Sequence, residues 1–138
     1  MNTLQHICLP IEKDMDRYKL LFDSFLTHRN ALLNEILQQV AKNKGKMMRS
    51  ILTLLSAKLF GEIEQNTIFA AASLEYFHNA SLMHDDVVDE SAERRGKPSA
   101  NDTFGNKAAV LVGDYLLALS LKTAAMTRNP SVIEVVSS

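Results

Sequence analysis

Tryptophan is absent from this 138-residue chain, and proline and glycine number only three and five. With so few breakers, and with leucine and methionine plentiful, the composition favours helix over sheet. A single cysteine, Cys8, excludes an internal disulfide framework and fits a reducing compartment. Neither sign of charge dominates: 15 Lys and Arg face 16 Asp and Glu, for a formal net charge of −1. No global field recruits nucleic acid or anionic lipid, so charge-based binding must come from local clusters. The N-terminus lacks the basic stretch and apolar core of a signal peptide. No apolar run approaches the roughly 20 residues that span a bilayer. The expected setting is cytoplasmic, not integral to a membrane, with peripheral contact left open. Hydrophobic residues make up 46% and charged residues 22%, enough for one compact domain over residues 1–138.

Helical periodicity runs throughout. From Ile11 to His28, Met15, Tyr18, Leu21, Phe22 and Phe25 recur at steps of three and four. Asn30 is placed to cap a second helix with Leu32, Leu33, Ile36 and Val40 inward. A third helix is predicted from about Lys46 to Phe60, stopping at Gly61. A long one follows from Asn66 or Thr67 to Asp89 or Glu90, apolar on most sides and therefore central. Ser91 to Gly105, with Gly96 and Pro98, reads as a loop. Asn106 to Met126 reads as another apolar helix, and Asn129-Pro130 as the start of a further one. No strand alternation, repeat or linker is visible.

The chemistry concentrates in His84-Asp85-Asp86-Val87-Val88-Asp89 and Arg94-Arg95-Gly96-Lys97-Pro98. At about 100° per residue, Asp85, Asp86 and Asp89 share one arc at the C-terminal end of the long helix. There they repel one another and lie at the negative end of the helix dipole. A hard divalent cation such as magnesium, shared with substrate phosphates, relieves that strain. Arg94 and Arg95 follow in a loop able to present guanidinium groups to the same phosphates. Alone, each feature more often means a solvated surface. An acidic cluster closing an apolar helix is out of place as mere surface.

In several ordered blocks the sequence resembles the trans-isoprenyl diphosphate synthases, or polyprenyl synthetases, and among them the medium- and long-chain, octaprenyl-type enzymes. Gly45-Lys46-Met47-Met48-Arg49 is similar to the family's Gly-Lys-Arg-x-Arg-Pro, with Met47 for the first arginine and Ser50 for the proline. Glu75 to Asp89 resembles the first aspartate-rich motif and its approach. Arg94 to Pro98 matches Arg-Arg-Gly-x-Pro, and Phe104 to Leu117 the next helix. The resemblance implies an all-α fold, an antiparallel helical bundle of the isoprenoid synthase type, present as about half of the full fold.

It further implies that Asp85, Asp86 and Asp89 hold Mg2+ on an allylic prenyl diphosphate, which Arg94 also contacts. Lys46, Arg49, His78 and Arg95 would bind isopentenyl diphosphate. His78, alone, reads as a satisfied histidine of a bundle. The implied reaction is head-to-tail condensation of the two diphosphates. Small residues at Ala80 and Ser81, where bulky aromatics give short products in the family, point to a longer all-trans chain, with Phe77 as a deeper wall or ordinary core. A second aspartate-rich motif is not among these residues, so the isolated chain is expected to be an inactive fragment. The alternative is a subunit of a heteromeric synthase, regulatory or completing a partner's site. The family also implies a homodimer, and nothing implies a nucleic-acid partner.

Overall fold

The computed structural model describes all 138 residues. Its elements are α1 (Thr3–Cys8), a 3-10 turn (Leu9–Ile11), α2 (Glu12–Ser24), α3 (Ala31–Lys42), α4 (Met48–Lys58) and α5 (Gln65–Val88). These are followed by β1 (Glu93–Arg94), β2 (Lys97–Pro98), α6 (Ala100–Phe104), α7 (Asn106–Met126) and α8 (Pro130–Ser137). The expected all-helical bundle is what forms.

The centre is the pair α5 and α7, which pack along one another. Ala71, Ala72 and Ala80 on α5 and Ala108, Ala109, Val112 and Leu116 on α7 are buried, and the small side chains of the alanines let the two backbones approach. Closeness makes possible a reciprocal clasp. Ser73 Oγ donates to the Ser120 carbonyl at 2.8 Å, and Ser120 Oγ donates to the Ser73 carbonyl at 2.9 Å. At the far end, Asn66 Nδ2 reaches the Thr127 carbonyl at 3.0 Å, so the start of α5 meets the end of α7 and the pair is antiparallel. Helix α2 adds the aromatic part of the core. Phe22 stacks on Tyr76 with ring centroids 4.7 Å apart, and Tyr76 Oη donates to the Phe22 carbonyl at 2.7 Å.

Three expectations need correction. The first helix does not run unbroken from Ile11 to His28. Ser24 Oγ bonds the Leu21 carbonyl, and the chain beyond is held by His28 N to Asn34 Oδ1 and by Asn30 N to His28 Nδ1. Such local side-chain bonds compete with helix continuation. Ahead of it, Asn2 and Gln5 form a capping box that starts α1. The segment 91–105 is not plain loop, since it contains the β1–β2 hairpin and α6, capped by Ser99 Oγ on Asp102 N. Finally, α7 is long and apolar enough to cross a membrane by length and composition, against the expectation that no such run exists. Its buried face and the serine clasp give it the place of a core helix.

The Tyr76 hydroxyl bond is buried, so Tyr76→Phe leaves the Phe22 carbonyl without its partner. The expected loss is about 1–2 kcal/mol of unfolding free energy in a denaturant titration. A loss below a few tenths would show that this bond does not hold α2 to α5.

Candidate active site

Helix α5 carries its last hydrogen-bonded turn to Asp89, whose N–H donates to the Asp85 carbonyl at 2.8 Å. Asp85 and Asp89 therefore stand one turn apart on one face, both exposed. Asp86 behaves differently. It is buried, and Arg94 grips it with both arms of the guanidinium: Nε donates to Oδ2 at 3.1 Å and Nη2 to Oδ1 at 2.5 Å. The Asp86 hydrogen bond raises the Arg94 pKa, partial burial opposes it, and the charges of Asp86, Asp85 and Asp89 add to the rise. The three carboxylates do not converge on a single three-ligand cluster.

The chain after α5 is folded back by a small polar knot. Ser91 N donates to the Asp86 carbonyl at 2.9 Å. Ser99 Oγ and Asn101 Nδ2 both donate to the Ser91 carbonyl, at 2.7 and 2.9 Å. Between these anchors the hairpin turns at Arg95 and Gly96, with φ of +54° and +75°. Two successive left-handed residues make the tight turn that suits a hairpin's twist.

That turn delivers Arg95 to the α3–α4 connection. Arg95 Nη1 donates to the Asn43 carbonyl at 2.9 Å, and Lys97 Nζ to Asn43 Oδ1 at 2.8 Å. The guanidinium lies against Gly45, where a Cβ would come within 2.6 Å of it. Gly45 is thus required twice, for its φ of +67° and for this close approach. The result is a cavity of about 360 Å³ lined by Lys46, Arg49, His78, Arg95, Gly45 and Glu75. All four residues expected to hold isopentenyl diphosphate come together there. A larger cavity of about 620 Å³, between α3, α5 and the hairpin, has Asp86 and Arg94 in its wall and shares Lys44, Gly45, Met47 and Arg95 with the smaller one.

Electrostatics in the smaller cavity are lopsided. Burial lowers the His78 pKa, and Arg49, Arg95 and Arg94 lower it further. Both effects favour the neutral imidazole at His78. Glu75, one turn earlier, is 4% exposed, and its Oε1 has no hydrogen-bond partner. Burial raises its pKa, while Arg49, Ser50 and Arg95 pull it back down.

Of the residues singled out for product length, Ser81 is half-buried, with Oγ on the His78 carbonyl at 2.8 Å, and Phe77 is 43% exposed one turn further back. Ala80 is buried in the core.

The family described as "Polyprenyl synthetase" matches residues 30–138, and the chain belongs to it. It is 41% identical over 115 residues to an all-trans-nonaprenyl-diphosphate synthase (geranyl-diphosphate specific) of Rhodobacter capsulatus, covering 83% of this chain and 35% of that one. It is 39% identical over 106 residues to the octaprenyl diphosphate synthase of Escherichia coli, covering 77% and 33%. The chain thus spans about a third of the length of these curated relatives. Among solved structures, a polyprenyl synthase from Caulobacter crescentus complexed with calcium and isoprenyl diphosphate superposes with a TM-score of 0.91 at 30% identity, over 98% of this chain and 41% of that one. A decaprenyl diphosphate synthase from Rhodobacter capsulatus gives 0.89 at 36% identity, over 97% and 42%. The fold is that of the isoprenoid synthases.

Sequence reasoning missed Glu75, Asn43 and Lys44. The last ties the α3–α4 connection to α2 through Asp23, at 2.7 Å. Glu75 was open to detection as a lone acid on an otherwise apolar helix face. Asn43 and Lys44 carry no such signal, because their roles depend on where the hairpin lands.

Arg49→Gln removes the charge that, after burial, lowers the His78 pKa most. The His78 pKa, followed by NMR, is expected to rise toward the ordinary histidine value, and an unmoved titration would contradict this electrostatic account. Gly45→Ala is expected to displace Arg95 and to destabilise the chain by at least about 1 kcal/mol, through its positive φ alone. A crystal structure of the variant with Arg95 still on Asn43 would contradict it.

Proposed function

We propose that the chain supplies the first-aspartate-motif half of a prenyltransferase making medium- or long-chain all-trans polyprenyl diphosphates. In this reading an allylic diphosphate lies at Asp85 and Asp89, and isopentenyl diphosphate in the basic cavity. The observation that carries it is the division of charge along one helix. Two free carboxylates stand at the tip of α5, and about 10 Å down the same rod His78 joins Lys46, Arg49 and Arg95 in a cationic cavity. Two diphosphates of like charge need two separate binding places, and this separation of the acidic tip from the basic cavity supports the reading.

The donor set at the tip fits magnesium. Asp85 and Asp89 are hard oxygen donors, exposed and adjacent, and magnesium completes its shell with water and substrate phosphate rather than a protein cage. Asp86, held by Arg94, serves in this reading to fix the arginine beside the diphosphate. Bound magnesium would neutralise charge gathering on the departing diphosphate. The chain's own groups do the rest. Arg94 offers charge-assisted donors to that leaving group. Lys46, Arg49, Arg95 and His78 hold isopentenyl diphosphate by its head and so orient its double bond. Apolar walls exclude water from the allylic cation before the new carbon–carbon bond forms and a proton leaves. In this reading Ser81 and Phe77, neither of them buried, meet the growing tail. Ser81 is the better position for a test, since a phenylalanine at Ala80 must displace buried core. The names of the relatives support a long product, and the Caulobacter complex supports metal and diphosphate binding.

We assign the protein to a cytoplasmic homodimer, in keeping with one half-buried free cysteine and an exposed apolar stripe on α7 that includes Leu111, Leu117 and Leu121. A heteromeric assembly has on its side a 38% identity to heptaprenyl diphosphate synthase component 2 of Bacillus subtilis. Titrating residues 1–138 with candidate partner chains tests it.

In the synthase containing this chain, Asp85→Asn and Asp89→Asn are each expected to lower turnover by about two orders of magnitude or more, whereas Ser81→Phe should shorten the product seen by chromatography. Near-parental turnover in both aspartate variants would remove the basis of the reading. Residues 1–138 alone are expected to bind isopentenyl diphosphate without turning over. Binding is expected to take up protons, because burial and then the charges of Arg49, Arg95 and Arg94 lower the His78 pKa, and a diphosphate beside it opposes those charges. Calorimetry in buffers of different ionisation enthalpy measures that uptake.

A further inference from the structure

We infer that Glu75 is a positioning residue for the basic cavity: as a buried carboxylate it holds Arg49 and Arg95 in place for the diphosphate of the incoming substrate. The inference rests on the proposed binding of isopentenyl diphosphate in that cavity.

Glu75 sits in the cavity lining with Lys46, Arg49, His78 and Arg95, and it is the only acid there. It is 4% exposed, and Oε1 lacks any hydrogen-bond partner. Two other buried polar atoms of the same neighbourhood, Ser50 Oγ and Tyr18 Oη, are also without partners. A buried acid left partly unsatisfied costs stability. The core-facing positions around it on α5 are filled by Ala71, Ala72 and Tyr76, so packing alone calls for no carboxylate.

What the carboxylate faces explains it. Helix α4 begins at Met48 after Met47 in a left-handed conformation, with no side-chain cap and no acid in its first turn. The Ser50 N–H makes no backbone hydrogen bond, being one of the free donors of a helix start. Ser50 and Arg49 both act on Glu75. Glu75 therefore supplies, from α5, the negative charge that the first turn of α4 lacks, and that turn carries Arg49. On the other side it attracts Arg95, delivered by the hairpin. At position 50 the family motif has proline, which has neither N–H nor hydroxyl. The serine here adds both beside the carboxylate.

The role separates from mere structure by its signs. A buried carboxylate whose pKa is raised is costly to charge, so replacing it with neutral glutamine relieves that cost at pH 7. The melting temperature of Glu75→Gln is expected at or above the parent's at pH 7. That relative advantage should shrink as pH falls through the carboxyl's titration. The function moves the other way. Isopentenyl diphosphate binding to residues 1–138, measured by calorimetry, is expected to weaken by about tenfold or more, and the His78 pKa to fall further. In an Arg49→Gln background the same substitution should cost little additional affinity, because an effect exerted through Arg49 is already lost there.

Parental affinity in a folded Glu75→Gln variant would overturn the inference and leave the binding site standing. So would a melting temperature well below the parent's, which would mark Glu75 as a structural residue, or full additivity with Arg49→Gln. Absence of binding by the parent chain itself would instead overturn the functional reading on which the inference depends.

Discussion

Asp86 and Arg94 form the contact on which the arrangement of the site depends. A carboxylate buried at the negative end of a helix is doubly unfavourable, and leaving it unpaired would cost several kcal/mol. The bidentate guanidinium removes that cost, but only if the chain turns back sharply after α5. Ser91, Ser99 and Asn101 secure that reversal through backbone carbonyls. Once Arg94 is fixed, the two-residue turn sends the next side chain, Arg95, away from Asp86 and across to Asn43 and Gly45. One ion pair thereby sets both the acidic tip and the basic cavity.

Its second consequence is a division of labour among three similar aspartates. Helical spacing alone groups Asp85, Asp86 and Asp89 as equals. The structure withdraws Asp86 into the wall and leaves Asp85 and Asp89 free on the outer face. The adjacent pair in the motif is thus one outward-facing ligand candidate and one anchor for an arginine.

Much of this was legible in the sequence, and what was not has a common cause. The α7 span, the α3 cap at Asn30, whose side chain takes the Leu32 and Leu33 N–H groups, and the length of α5 all follow from periodicity and capping chemistry. The clustering of Lys46, Arg49, His78 and Arg95 followed from the family resemblance, not from spacing, since they lie in the α3–α4 connection, on α4, on α5 and in the hairpin turn. What escaped was short or relational. The hairpin strands are two residues each, too brief for alternation to show. The α2 break depends on Ser24, His28 and Asn34 choosing local partners over the helix. Glu75 was visible as an acid on an apolar face, but its meaning needs the positions of α4 and the hairpin.

The charge arrangement of the cavity is itself an argument about its ligand. Lys46, Arg49 and Arg95 line one cavity with His78, whose pKa is lowered by burial and then by the arginines' charge. Glu75 offsets the arginines from below without occupying the open side. A cavity meant only to be stable would pair each cation directly, as Lys44 is paired with Asp23 and Arg94 with Asp86. Here the cations are held near one another by Asn43, Gly45 and a buried carboxylate, and their remaining charge points into open space. Preorganised positive charge of that kind is unfavourable until a multiply charged anion arrives. A multiply charged anion is the kind of ligand whose charge would balance such a cavity.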